Sequence, residues 1–133
     1  MRFFFDNNLA LRIARAIDQL VDPPIKVHHL RERFPPNVAD VDWMRTLAED
    51  GDWVIVSGDL RITKNPHERH AWEATGLTTF FLKGWMNQSF WLQAANLVRW
   101  FPDIMSQAQR VEPGASFIVP FKYSGRFKQP PLS

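Results

Sequence analysis

The sequence contains no cysteine among its 133 residues. That absence excludes disulfide bonds, thiolate nucleophiles, iron–sulfur clusters and zinc sites built on cysteine. Carboxylate oxygen and imidazole nitrogen are then the available side-chain ligands for a metal ion, and oxygen ligands suit hard cations such as Mg²⁺ and Mn²⁺. Any metal site in this chain is therefore expected to hold a hard divalent ion.

Long hydrophobic runs are also missing. None approaches the roughly 18–20 apolar residues that span a bilayer. The apolar segment Phe3–Phe5 meets Asp6 before the core of a signal peptide could form. We therefore expect a soluble, cytoplasmic protein that does not associate with membranes.

Several catalytic motifs are absent as well. The six glycines form no phosphate-binding loop, and neither a P-loop lysine nor a Gly-x-Ser-x-Gly elbow occurs, so nucleotide cofactors and serine hydrolysis are unsupported. His67 and His70 lack the His-Glu-x-x-His pattern and a third imidazole. A zinc hydrolase is therefore unsupported too.

The composition that is present is that of a folded domain. Hydrophobic residues make up 45% of the chain and aromatic residues 14%, which is too apolar for a disordered protein. We predict a single domain over residues 1–133. Its core is expected over about residues 2–108, with a C-terminal hairpin and tail over residues 112–133.

Apolar segments that alternate with amphipathic ones predict an α/β fold. The expected strands cover residues 2–6, 25–30, 53–56 and 78–82. The expected helices begin near Leu9, at Asp40 as an N-cap, after Asn65 and near Gln88. Residues 116–128 predict a β-hairpin. The expected architecture is a three-layer α/β/α sandwich around a mostly parallel sheet, followed by a long helix and the hairpin.

Four aspartates fall where such a fold could gather them. Asp6 ends the first strand, Asp59 follows the third, and Asp40 and Asp42 open the helix between them. The carboxyl ends of parallel strands meet at one edge of a sheet. Crowded carboxylates repel one another, so a cluster of them persists mainly where a divalent cation neutralises it. We predict that all four bind Mg²⁺ or Mn²⁺ and carry catalysis, while structural roles in caps and turns stay open.

The same residues resemble the PIN and PIN-like domain family. Phe3–Leu9 is similar to its opening strand followed by Asp-x-Asn, and Val54–Asp59 is similar to its later strand that ends in Ser/Thr-x-Asp. Asp40–Trp43 matches the acid-led helix before that strand. Asp59–Ala71 is similar to a subgroup of short PIN-like proteins that are grouped with VapC-type toxins. The resemblance covers about residues 2–83.

The resemblance implies a PIN-like fold and a metal-dependent endoribonuclease, commonly the toxin of a toxin–antitoxin pair. In such enzymes, acids bind Mg²⁺ or Mn²⁺, which activates water against an RNA phosphodiester. Asp6, Asp40 and Asp59 match the family's acids, whereas Asp42 stands where the subgroup has glutamate. The further acid of larger PIN domains has no clear counterpart, so one metal ion rather than two is expected. The implied partners are an RNA substrate and a cognate antitoxin protein, and a homodimer stays open.

Residues around the predicted site carry two interpretations each. Glu68, three residues after Asn65, either completes a capping box or lies behind the metal-binding acids. Asn8 either caps the first helix or orients Asp6. The nearby cations either hold substrate phosphates or are merely solvated, and they are Arg61, Lys64 and Arg69.

Two other functions stay open. An acidic pocket at strand ends, together with Lys83 after the last parallel strand, also fits a phospho-receiver domain, which would form an aspartyl phosphate. A catalytically silent module would bind nucleic acid or a partner protein but gain no activity with Mn²⁺. A nuclease assay with and without chelator separates these functions.

Overall fold

A computed structural model describes residues 1–129 of the chain. Its five strands are β1 (Arg2–Phe5), β2 (Lys26–His29), β3 (Trp53–Ser57), β4 (Thr79–Lys83) and β5 (Ser116–Pro120). Its α-helices are α1 (Leu11–Leu20), α2 (Leu30–Arg33), α3 (Asp40–Asp50), α4 (Pro66–Thr75) and α5 (Phe90–Arg110). A short 3₁₀ helix covers Leu60–Thr63.

The strands form one sheet in the order β2-β1-β3-β4-β5, and every neighbouring pair is parallel. Side chains alternate between its two faces. Phe3 and Phe5 pack with α1 and α5 on one face, while Phe4 packs with α3 and α4 on the other. The predicted three-layer α/β/α architecture around a mostly parallel sheet is confirmed.

The predicted C-terminal hairpin returns on itself at one antiparallel bridge, but the structure also places its first strand in the central sheet, which was not predicted. β5 joins the central sheet as a fifth parallel strand, in register from Thr79↔Ser116 to Lys83↔Pro120. The returning segment makes a single antiparallel bridge, between Ile118 and Lys128. The reason is the crossover: α5 returns the chain to the amino edge of the sheet, so the next strand runs parallel to β4. β5 thus lies in the sheet although it follows the predicted core boundary at residue 108. Residues 130–133 of the predicted tail lie outside the described residues.

Two helix starts decide the geometry of the candidate site. Asn65 caps α4 as predicted, because its side chain accepts hydrogen bonds from the backbone N–H groups of His67 and Glu68, both at 3.1 Å. The prediction that Asp40 caps α3 is wrong. It is the first residue inside that helix, Ala39 holds the cap position, and Asp40 Oδ1 accepts a hydrogen bond from Trp43 Nε1 at 2.9 Å. Its second carboxylate oxygen is left for other contacts.

Among the described residues, no helix has the length and apolarity that crossing a membrane requires.

Candidate active site

The candidate site lies at the carboxyl edge of the sheet, where β1 and β3 end side by side. The chain leaves β1 toward β2 on one side and later returns to β3 on the other side, so the connections diverge at this point. Ligand sites of open parallel sheets form at such a divergence. Asp6 directly follows β1, and its backbone N–H donates to the Val56 carbonyl at 3.2 Å. Asp59 follows β3 by two residues.

Asp6 is held by donors on every side of its carboxylate. The Ser57 hydroxyl donates a hydrogen bond to Oδ2. The backbone N–H groups of Asn8 and Gly58 donate to Oδ1, at 3.1 and 3.4 Å. The side chain is only 3% exposed. Burial outweighs these donors and raises the pKa of Asp6 to about 6.

Ser57 connects the two strand-end acids. Its hydroxyl oxygen accepts the backbone N–H of Asp59 at 3.0 Å while its O–H donates to Asp6. Ser57 is fully buried, and it was not among the predicted site residues. The available signal was a hydroxyl at the end of an otherwise apolar strand, two residues before an acid.

Asp59 is bound by the guanidinium of Arg61. Oδ1 accepts from Arg61 Nε at 2.9 Å, and Oδ2 accepts from Arg61 Nη2 at 3.1 Å. The backbone N–H of Arg61 donates to the same Oδ1 at 3.0 Å. The carboxylate is 8% exposed, whereas the arginine side chain is 84% exposed. Arg61 therefore neutralises a nearly buried acid from the solvent side.

Asp59 also belongs to a cluster of three acids. Asp40 from the start of α3, Asp59, and Glu68 from the first turn of α4 each offer a carboxylate oxygen within 4.8 Å of the others. Burial, followed by the charges of Asp40 and Asp59, raises the pKa of Glu68 above its usual value. The three groups thus share one electrostatic environment.

Glu68 belongs to this cluster rather than to a capping box. In a capping box its carboxylate would accept the backbone N–H of Asn65. That N–H donates instead to the carbonyl of Arg61, at 2.9 Å. The capping-box interpretation of Glu68 is therefore wrong.

The structure does not bring Asp42 into the cluster. It is exposed on α3, two residues beyond Asp40 and hence about 200° further round the helix. Two residues in that relation face nearly opposite directions. The predicted convergence of four aspartates is therefore replaced by a cluster of Asp40, Asp59 and Glu68, and both Asp6 and Asp42 lie outside it. That Asp42 is a metal ligand stays a prediction.

Asn8 acts through its backbone, because its N–H holds Asp6. It does not cap α1, whose cap position is Ala10. Lys64 is exposed at the end of the 3₁₀ helix. Arg69 pairs with Glu73 at 2.6 Å. It lines a depression with Ser116, at the amino end of β5, and so lies away from the acidic cluster.

The donor set of the cluster fits a hard divalent cation. All three converging ligand atoms are carboxylate oxygens, the type that Mg²⁺ and Mn²⁺ prefer. The oxygens lie close enough for one ion to contact more than one of them. The arginine on Asp59 offsets only part of the combined negative charge, and a divalent ion would offset the rest.

Comparison with known families gives a match over the first part of the chain. The family described as PIN like domain matches residues 1–84, which is more than half of the chain and includes every acid of the cluster. No curated protein and no solved structure matches the chain. PIN-like domains are generally nucleases and usually use divalent metal ions. The parallel sheet, the acids at its carboxyl edge and this match agree, and the chain belongs to the PIN-like domain family.

Proposed function

We propose that this protein is a metal-dependent endoribonuclease whose Mg²⁺ or Mn²⁺ ion is held by Asp40, Asp59 and Glu68. The observation that carries the proposal is the convergence of these three carboxylates within 4.8 Å at the carboxyl edge of the sheet. Asp6 is connected to this cluster through Ser57, whose hydroxyl donates to the Asp6 carboxylate and accepts the backbone N–H of Asp59.

The chain's own residues supply orientation and charge for this chemistry. A bound divalent ion activates water at neutral pH and neutralises the scissile phosphate. The buried Trp43 fixes the Asp40 carboxylate, and Arg61 fixes the carboxylate of Asp59. Ser57 holds the backbone N–H of Asp59. Arg61 reaches Asp59 from the solvent side, where an entering phosphate could also contact its guanidinium.

The test is RNA cleavage with Mn²⁺, with Mg²⁺ and with EDTA. We expect cleavage that requires either ion and is lost in Asp59→Asn. Glu68→Gln should lose at least about 10-fold in rate, the range seen for groups that support a metal site. Glu49→Gln is the matched control, because Glu49 is an exposed acid on α3. It should retain the wild-type rate.

Two results would contradict the proposal. Cleavage that persists in EDTA would exclude the ion. Equal activity in Glu68→Gln and Glu49→Gln would show that the cluster is not the site.

We extend the proposal to a toxin held by an antitoxin protein, on the strength of the resemblance of residues 59–71 to VapC-type toxins. An arginine or lysine of such an inhibitor could enter the acidic cluster in place of the metal ion. Inhibition should then compete with Mn²⁺. Expression of the chain alone should arrest growth, and co-expression with its genomic neighbour should relieve the arrest. Harmless expression of an active nuclease would remove the toxin role and leave the enzyme.

A phospho-receiver is the second candidate, because the strand order β2-β1-β3-β4-β5 is also that of flavodoxin-like signalling domains. Both oxygens of Asp59 already accept hydrogen bonds from Arg61, which leaves the carboxylate poorly placed as a nucleophile. Lys83 is exposed at the end of β4. Incubation with acetyl phosphate should leave the protein unmodified. A mass increase of one phosphoryl group that hydroxylamine removes and that is lost in Asp59→Asn would favour the receiver.

A further inference from the structure

A groove beside the candidate active site has a composition that the acids do not explain. It lies between the segment that follows β1 and the starts of α1 and α5, and encloses about 540 Å³, within the usual range of about 300–1,000 Å³ for ligand pockets. Its lining includes Asn7, Asn8, Arg12, Arg31 and Phe90. None of its lining residues is acidic. The acidic cluster and this groove therefore have opposite electrostatic character.

Two arginines bring uncompensated charge to the groove. Arg31 donates from Nε to the neutral side-chain oxygen of Asn7 at 3.0 Å. The guanidinium of Arg12 lies over the Phe90 ring, 4.8 Å from its centroid. Within residues 1–129, neither arginine forms a salt bridge. Arg12 also lies in the first turn of α1, which contains no acidic residue, so the helix dipole adds to the positive potential.

An exposed aromatic side chain stands at the rim. Trp91 is 79% exposed, although the other five tryptophans of the chain are at most 6% exposed. Its ring meets the Phe90 ring edge to face, with centroids 5.5 Å apart. The segment Gly84–Val98, which carries both rings, contains no charged residue. A large aromatic surface left in water beside unpaired arginines is typical of sites that stack bases and hold phosphates.

The groove adjoins the segment that holds Asp6. Asn8, in its wall, donates its backbone N–H to Asp6. Gly58, which directly follows β3, also lies close to Asn8, because a Cβ added to Gly58 would be 3.1 Å from the Asn8 Cβ. A strand that occupies the groove is therefore led to the edge of the sheet where the acids lie.

We propose that this groove binds single-stranded nucleic acid, with Arg12 and Arg31 on successive phosphates and Trp91 stacked on an unpaired base. This proposal rests on the proposed function, since the groove would be the route by which the RNA substrate reaches the acidic cluster. Stacking on Trp91 requires an unpaired base, because bases within a duplex already stack on one another. The strand thus approaches from the α1 and α5 side, opposite the helices α3 and α4 that supply Asp40 and Glu68.

The test is binding in EDTA, which separates the groove from catalysis. The probe is a fluorescein-labelled single-stranded RNA of about 12 nucleotides, within the site sizes known for such proteins, measured by anisotropy over a salt series. The double variant Arg12→Gln/Arg31→Gln should weaken binding at least about 10-fold and reduce the salt slope by about 1.4, for two lost phosphate contacts. Arg45→Gln is the matched control, since Arg45 is an exposed arginine on α3. It should bind as the wild type does.

Trp91 gives a second, independent measurement. Trp91→Ala should weaken binding about 10-fold, Trp91→Phe should restore it, and Leu92→Ala should have little effect. Leu92 is a matched control because it is the neighbouring residue and is 53% exposed. RNA should also quench the fluorescence component that acrylamide reaches in the free protein, since Trp91 is the exposed tryptophan.

Specific outcomes would overturn the proposal. They are wild-type binding by the arginine double variant, equal losses in Trp91→Ala and Leu92→Ala, equal affinity for a duplex of the same length, and displacement of the RNA by poly-glutamate at equal charge. Metal-dependent cleavage with an unchanged KM in the groove variants would overturn the groove and leave the nuclease intact. Binding that depends on the groove, without cleavage in Mn²⁺, would support the groove and reject the nuclease.

Discussion

Asp6 shows how a single residue can oppose folding at the place where function is expected. Its carboxylate is 3% exposed and its compensating donors are a hydroxyl and two backbone N–H groups, with no cation among them. Burial therefore dominates and favours the protonated form. Residues that carry such a cost in a folded domain are commonly part of a functional site.

We expect Asp6→Asn to stabilise the metal-free protein above pH 6. The pKa of Asp6 is 3.8 in the unfolded chain and about 6 in the folded one. Between these values the folded state binds more protons, so the free energy of unfolding falls as pH rises and stays low above pH 6. The difference corresponds to roughly 3 kcal/mol as an upper bound. The asparagine can keep the Oδ1 contacts and point its amide at the Ser57 oxygen.

Urea unfolding in EDTA at several pH values measures this effect. The variant should be more stable than the wild type at pH 8, and the difference should shrink as pH falls toward 4. A variant that is less stable at every pH would show that the ionised carboxylate is well accommodated and that the account of Asp6 is incorrect.

Some residues of the candidate site could be predicted from the sequence and others could not. Asp6 and Asp59 were predictable because strand ends in a parallel sheet must meet at one edge. Asp40 and Asp42 were not separable from sequence, because only the orientation of α3 about its axis decides which of them faces the cluster. Glu68 was undecided because its spacing from Asn65 suits a capping box equally well. The contact of the Asn65 N–H with Arg61, which decides the question, depends on the path of the 3₁₀ helix.

At the scale of elements, the junction of β2 and α2 depends on one buried histidine. His29 Nε2–H donates to the Leu9 carbonyl at 2.6 Å, and its Nδ1 accepts the backbone N–H of Arg31 at 3.0 Å. Both bonds together require the neutral ring. Burial accordingly lowers the pKa of His29. The same ring thus joins the loop after β1 to the helix turn that carries Arg31.

We expect His29→Leu to destabilise the fold by about 2 kcal/mol at pH 8, because the buried Leu9 carbonyl loses its donor. In the wild type, the unfolded chain binds a proton below pH 6.5 that the folded ring resists, so His29 contributes stability that is lost as pH falls below 6.5. Asp6 contributes the opposite slope in acid, so the quantity to compare is the difference between variant and wild type. That difference should narrow from pH 8 to pH 5.

The control is His67→Leu, since His67 is exposed on α4. It should leave the unfolding curve unchanged at both pH values. A constant difference between His29→Leu and the wild type across this range would contradict the requirement for a neutral ring.

The sequence predicted the hairpin but not the pairing of its first strand with β4. The apolar segment before Pro120 and the glycine at 125 have the pattern of a hairpin. The pairing partner of β5 is however β4, which lies 37 residues earlier in register, and local pattern carries no information about so distant a partner. Phe127 shows the consequence, since its ring packs on Phe80 and Trp100 rather than in a ladder.

At the scale of the whole molecule, the carboxyl edge of the sheet combines an acidic centre with cations on two sides. Arg61 and Lys64 lie on the 3₁₀ side, and Arg12 and Arg31 lie on the α1 side. A divalent ion in the centre would offset its negative charge, and the cations on both sides would then make the whole edge attractive to a phosphodiester. The proposed nuclease activity therefore depends most on whether the three carboxylates bind an ion.

The most direct measurement is the titration of Mn²⁺ into the metal-free protein, with free Mn²⁺ followed by electron paramagnetic resonance. We expect one ion to bind per chain, with an affinity that falls at least about 10-fold in Glu68→Gln and is unchanged in Glu49→Gln. Mn²⁺ should also raise the melting temperature of the wild type, as any ligand of the folded state does. Equal Mn²⁺ affinity in Glu68→Gln and the wild type, or no binding to the wild type, would contradict the account.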